Sequence, residues 1–188
     1  MLFRSDPEKG PVYGDVGYIE KVVKVKNTGF SSAYIRTHIA IPTNLVGYLY
    51  LDMVKLEDTG WIYQGESVGE VVSADGKTSV KYTVFTYDFK NAVEGSRYTD
   101  DLLKGVYLAS DVDLEEDVNG NLWFVKKTAG EITHRSDFMA HEKTASGYVS
   151  TTVNVLVASQ AIQAQGFNEG ATSALNTGFG TGTNPWQN

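Results

Sequence analysis

The sequence predicts an all-β protein, a jelly-roll-like antiparallel β-sandwich with a short C-terminal helix. Three observations carry that expectation. Apolar residues form 41% of the 188 positions and aromatics 12%, with 11 tyrosines among them. That is enough for a core, and aromatic and β-branched side chains suit a pleated, half-buried surface. Short alternating segments recur at close intervals, with turn dipeptides such as Asp75-Gly76 and Asn119-Gly120 between them. A single stretch near the C-terminus has helical spacing.

The elements follow in chain order. Residues 1–17 are broken by Pro7, Gly10, Pro11, Gly14 and Gly17 and predict an extended N-terminal arm. Residues 18–26, YIEKVVKVK, alternate and predict a half-buried strand, and NTGFSS (27–32) predicts a turn. In AYIRTHIAI (33–41), Ala33, Ile35, Thr37, Ile39 and Ile41 fall on one face, and Tyr34, Arg36, His38 and Ala40 on the other. VGYLYLDMV (46–54) fits a strand or a short helix. A hairpin is expected about Asp75-Gly76, a strand over 102–110, and a second hairpin about Asn119-Gly120. Residues 132–147 are polar and irregular. YVSTTVNVLVAS (148–159) predicts one long strand; the resemblance described below implies a central position for it, with Val153, Val155 and Val157 on one face. The same resemblance implies that SQAIQAQGF carries the chain over an end of the sandwich. NEGATSALNTGF (168–179) predicts a helix with Asn168 as N-cap and Ala171, Ala174, Leu175 and Phe179 on its inner face. Domain organisation is therefore an arm over 1–17, one β-sandwich over 18–180 and a flexible tail over 181–188.

Charge and cysteine usage narrow the function classes. The formal net charge is −7 without a basic cluster, a poor match to nucleic acid, whose affinity comes from Lys and Arg on phosphates. No apolar run is long enough to span a bilayer as a helix. The sequence has no cysteine, which removes disulfides, thiolate metal sites and cysteine nucleophiles.

Candidate chemistry is sparse. The run DVDLEEDVNGN supplies hard oxygen ligands, and Asp113, Glu115, Asp117 and Asn119 are the candidate calcium ligands, with Asp111, Glu116 and Asn121 beside them. The EF-hand frame fails: with Glu115 first, Gly120 falls at the glycine position, but the twelfth residue is Lys126. A solvated hairpin tip is the favoured reading. His38, His134 and His141 form no H-E-x-x-H pair, so no zinc site and no catalytic residue is assigned. Trp61, Tyr63, Tyr82, Phe85, Tyr87 and Trp123 fit core and cross-strand pairs better than a sugar platform.

Several segments together resemble one family. EKVVKVKNTGFSSAYIRTHIAI (20–41), GWIYQG (60–65), the strands over 82–108, and SQAIQAQGF followed by ALNTGFG (159–167 and 174–180) are similar, in that order, to camelysin/TasA-type proteins. These are SipW-dependent secreted proteins of Gram-positive bacteria. The resemblance covers most of 18–180. It implies a secreted jelly-roll protein without enzymatic activity or cofactor: a biofilm-matrix fibre subunit polymerising head to tail by donor-strand complementation, with other matrix or cell-surface components as further partners. The donor arm would be the N-terminal segment, with Leu2, Phe3, Val12, Tyr13, Val16 and Tyr18 as its contact residues. Its opening is richer in Pro, Gly and charge than is usual in the family. A signal peptide is expected to have been removed. The alternatives are a secreted metal-dependent protease of camelysin type, whose zinc signature this sequence lacks, and a sugar-binding adhesin using Trp61 or Trp123.

Overall fold

The computed structural model describes residues 18–72, 76, 79–182 and 185–186. Among these are eleven β-strands and one α-helix, so the expected all-β sandwich with one C-terminal helix is observed. The residues pack as two compact units: 18–20, 44–52 and 105–154 form the first; 21–43, 53–104 and 155–186 form the second.

The first unit contains one whole sheet and part of another. One has the order β1-β6-β3, with β1 at Tyr18–Val23, β6 at Leu103–Leu108 and β3 at Leu49–Met53. The other is a meander of order β10-β9-β8-β7: β7 is Val112–Glu116, β8 Leu122–Thr128, β9 Glu131–Thr144 and β10 Gly147–Ser150. Leu45, Tyr48, Val112, Phe124 and Ala140 are its buried core, with Leu49, Leu108, Phe138 and Val153 packed on them. In β7 and β9 the packed residues alternate, Val112 with Leu114 and Phe138 with Ala140, as the period-2 pleat requires. Gly105 lets β1 approach closely, because a Cβ there would collide with the Tyr18 ring.

β9 corrects the expectation of an irregular segment over 132–147. Its outer face is polar, and three register shifts against β8 interrupt the alternation that would have announced it. The turn after β7 is also wider than the two-residue form. Residues 117–121 make the loop, Gly120 takes φ +84°, and Asp117 organises it by accepting bonds from the backbone N–H groups of Asn119 and Asn121.

The second unit is built on the antiparallel sheet β11-β2-β5-β4, where β2 is Ala33–Pro42, β4 Trp61–Val72, β5 Ser79–Val93 and β11 Leu156–Gln163. The β4–β5 register pairs Val72 with Ser79, which centres the connection between residues 75 and 76. Asp75 itself lies outside the described residues, and Gly76 has φ +68°. β2 is central, and both faces of it are buried. Helix α1, Ala171–Phe179, covers the face bearing Arg36 with its buried Ala171, Ala174 and Leu175. Gly170, at φ +89°, stands at the N-cap in place of Asn168.

The expected long strand over 148–159 is two strands. β10 ends at Ser150, Val153 packs into the first unit's core, and β11 starts at Leu156. β11 lies at an edge of its sheet, where a central position had been expected, and SQAIQ is part of it. A run of alternating β-branched residues specifies strand conformation. It does not say at which residue the chain leaves one sheet for another.

Candidate functional site

β2 carries an arginine and a histidine on a face that is otherwise apolar. Arg36 and Asp88 of β5 stand opposite each other in the register, and both side chains are buried, at 2% and 0% exposure. Their pairing is bidentate: Nε donates to Oδ1 at 2.7 Å and Nη2 to Oδ2 at 3.0 Å. Nη2 also donates to Asn176 Oδ1 of α1 at 2.7 Å, and Nη1 to the Gly180 carbonyl at 3.1 Å. Four of the five guanidinium N–H donors are thus placed. One side chain ties two strands to the helix and to the turn that ends it. A cavity of about 70 Å³ lies alongside, bordered by Arg36, Gln64, Glu66, Ser67, Thr86 and Asn176.

Two residues along β2, His38 is fully buried. Its Nε2 faces Gln160 Oε1 of β11 at 3.1 Å and its Nδ1 faces the Thr86 hydroxyl at 3.0 Å. With the Gln160 oxygen on Nε2, the proton sits there and Nδ1 accepts from Thr86. Burial lowers the imidazole's pKa below 6.5, opposed by the Gln160 bond; Arg36 adds to the lowering and Asp88 opposes it. Trp186 meets the ring edge-on, with centroids 6.5 Å apart.

This arrangement predicts a pH dependence. A histidine whose pKa is lower folded than unfolded takes up a proton on unfolding, so stability falls as pH drops from above 6.5 towards the folded pKa. The melting temperature is expected to decrease from pH 7.5 to pH 5. His38→Gln, which keeps a hydrogen-bonding side chain but cannot titrate, should flatten that slope. An equal slope in both proteins would assign the effect to other groups.

Among the described residues no buried side-chain nitrogen or oxygen lacks a hydrogen-bond partner. An ion pair whose bonds are spent on the protein positions strands and a helix.

Compared with protein-family models, curated proteins and solved structures, the chain finds no match.

The structure places the sequence-derived candidates as follows. Asp113 and Glu115 share Lys127, whose Nζ lies 3.1 and 3.3 Å from their carboxylates. Asp117 turns into its own loop and accepts from the Trp123 indole N–H at 2.9 Å. That bond is the chief cause of its carboxyl pKa falling to about 2, with the Asn119 and Asn121 donors adding to it. Asn119 enters through its backbone N–H. No group of three or more His, Asp or Glu is disposed to hold a metal among the described residues. His141 bonds Ser150 in the first unit, where His134 also lies, while His38 belongs to the second. Trp61 is buried with its N–H on the Asp100 carbonyl, and Tyr82 and Tyr87 are buried too; Tyr63 is exposed against Tyr87. Of the donor-arm candidates, Leu2, Phe3, Val12, Tyr13 and Val16 lie outside the described residues. Tyr18 lies on β1 with its hydroxyl donating to Asp52.

Sequence reasoning missed Asp88 and Trp186. An arginine inside an apolar strand signals a buried partner, but nothing in the sequence says that the partner is 52 residues away. Trp186, expected in a flexible tail, is seated on Ala40, Tyr82 and Val84.

Proposed function

We propose that this chain is a non-enzymatic subunit of an extracellular, biofilm-matrix type fibre of the camelysin/TasA kind. It assembles head to tail as the N-terminal arm of one copy adds a strand to the next. The observation that carries this reading is the outer edge of β11. Its sequence, LVASQAIQ, holds no charge and no proline, and its pairing with β2 runs over eight residues without a register shift. Among the described residues no strand pairs with its outer side. Soluble proteins blunt such edges with lysine, proline or a bulge, because an unpaired row of N–H and C=O groups is a template for another chain. β4, at the opposite edge, is blunted by a bulge and by charge: a register shift between Tyr63 and Gly65, and Glu66 and Glu70 along its length. An edge left regular and neutral fits strand addition, in which backbone bonds give affinity and alternate side chains give register. A head-to-tail contact of this kind does not close, so it propagates. The ordered resemblance of 20–41, 60–65, 159–167 and 174–180 supports the same reading, and secretion to the cell surface or matrix goes with it.

Negative-stain electron microscopy tests it, with the intact chain and a chain beginning at residue 18. Filaments from the first and dispersed particles from the second are expected. Dispersed particles from the intact chain at all concentrations would overturn the reading.

A further inference from the structure

The loop between β7 and β8 holds the one Asn-Gly pair of the sequence, Asn119-Gly120. Asparagine is thermolabile, and most so before glycine, where no Cβ hinders attack of the next backbone nitrogen on the carboxamide. The Asn119 side chain is exposed, and no hydrogen bond holds it among the described residues. The turn requires glycine at 120: its φ is +84°, and a Cβ would lie 3.3 Å from Lys143 Cγ. The labile pair therefore stays, and the loop fixes its backbone instead. The Gly120 N–H donates to the Asp117 carbonyl at 3.0 Å. The Asp117 carboxylate accepts from the Asn119 and Asn121 N–H groups at 2.8 and 2.9 Å, and from the Trp123 indole at 2.9 Å. The Lys143 N–H donates to Asn121 Oδ1 at 2.9 Å and ties the loop to β9.

We propose that Asn119 is a deamidation site guarded by Asp117, slow to react while the loop keeps these bonds and fast once they are lost. In the reaction the Gly120 nitrogen gives its proton to hydroxide and bonds to Asn119 Cγ. The bond from Cγ to the side-chain nitrogen breaks, and ammonia leaves, its added proton supplied by water. Water then opens the succinimide at either carbonyl. The product is aspartate or isoaspartate at position 119, with one more negative charge. In the folded loop the Gly120 proton is held by a carbonyl. The bonds at Asn119 and Asn121, on either side, oppose the rotation that brings the nitrogen to the carboxamide. Isoaspartate adds a carbon to the backbone inside this ring of bonds, and the new carboxylate stands two residues from Asp117. Modification thus keeps the guard open once it has occurred. The inference is independent of the fibre reading.

The test incubates the full-length chain near neutral pH and follows its tryptic fragment 105–126 by mass spectrometry, with chromatography to separate aspartate from isoaspartate. The chain unfolded in guanidinium chloride is expected to deamidate at Asn119 at least about tenfold faster than the native chain, because the loop's protection is lost with its structure. Asp117→Ala removes the carboxylate and keeps the backbone carbonyl. It should raise the native rate at least about fivefold with circular dichroism unchanged. Asn119→Gln should abolish the modification at that position, because glutamine closes the larger ring far more slowly. Should Asp117→Ala unfold, hydrogen exchange of the Gly120 amide in the native chain gives a second reading, and it is expected to be slowed at least about tenfold against the unfolded chain. An unfolded chain unmodified at Asn119 overturns the proposal, as do equal rates in native and unfolded chains. So does a folded Asp117→Ala that reacts no faster than the native chain, or a Gly120 amide that exchanges freely.

Discussion

Arg36→Met is expected to lower the free energy of unfolding by about 3–5 kcal/mol, the range seen when one member of a buried ion pair is removed. The substitution roughly keeps the side chain's apolar volume but leaves Asp88 charged, fully buried and stripped of two donors. Asn176 and the Gly180 carbonyl lose their donors as well, so α1 loses its tether to β2. The double variant Arg36→Met with Asp88→Leu should recover a large part of the loss. An apolar pair of similar size needs no compensation for buried charge. Urea unfolding followed by Trp61 fluorescence would measure both. A single-variant cost below about 1 kcal/mol, the range of exposed pairs, would show that water reaches the pair.

If the chain polymerises through the β11 edge as proposed, Ala161→Pro is expected to raise the concentration needed for filament growth while leaving the subunit folded. The Ala164 N–H donates to the Ser32 carbonyl, so even-numbered residues of β11 direct their backbone bonds towards β2. Odd-numbered residues, Val157, Ser159, Ala161 and Gln163, then direct theirs outward. Proline at 161 removes an N–H that β2 does not use, and an outward-facing position on an edge strand is where a sheet accepts it. An added strand would lose that bond and meet the ring. The critical concentration should rise at least about tenfold, equivalent to about 1.4 kcal/mol. Ile162→Pro is the contrast, because it removes a bond to β2 and should destabilise the fold itself. Filaments of Ala161→Pro growing at the wild-type concentration would exclude the β11 edge as the acceptor.

These two experiments separate what the sequence shows from what it hides. The alternation in 33–41 identified β2 and its two faces, and the helical spacing of Ala171, Ala174 and Leu175 identified the residues that α1 buries. Both follow from local periodicity, which a single chain displays directly. β9 was illegible because bulges interrupt its alternation and its outer face is polar. The candidate ligands Asp113, Glu115 and Asp117 share a short segment, yet β-pleating and the turn send them to different partners, Lys127 for the first two and Trp123 for the third.

By itself the sequence determined an all-β chain with one C-terminal helix, the face of β2 that carries Arg36 and His38, and the absence of cysteine chemistry. Only the tertiary structure decided that Arg36 meets Asp88, that Trp186 occupies a seat beside Glu70, and that β11 lies at an edge. The physical reason is range. Propensity and periodicity act within a few residues, whereas ion pairing, seating of a ring and strand order depend on contacts between segments far apart in the chain.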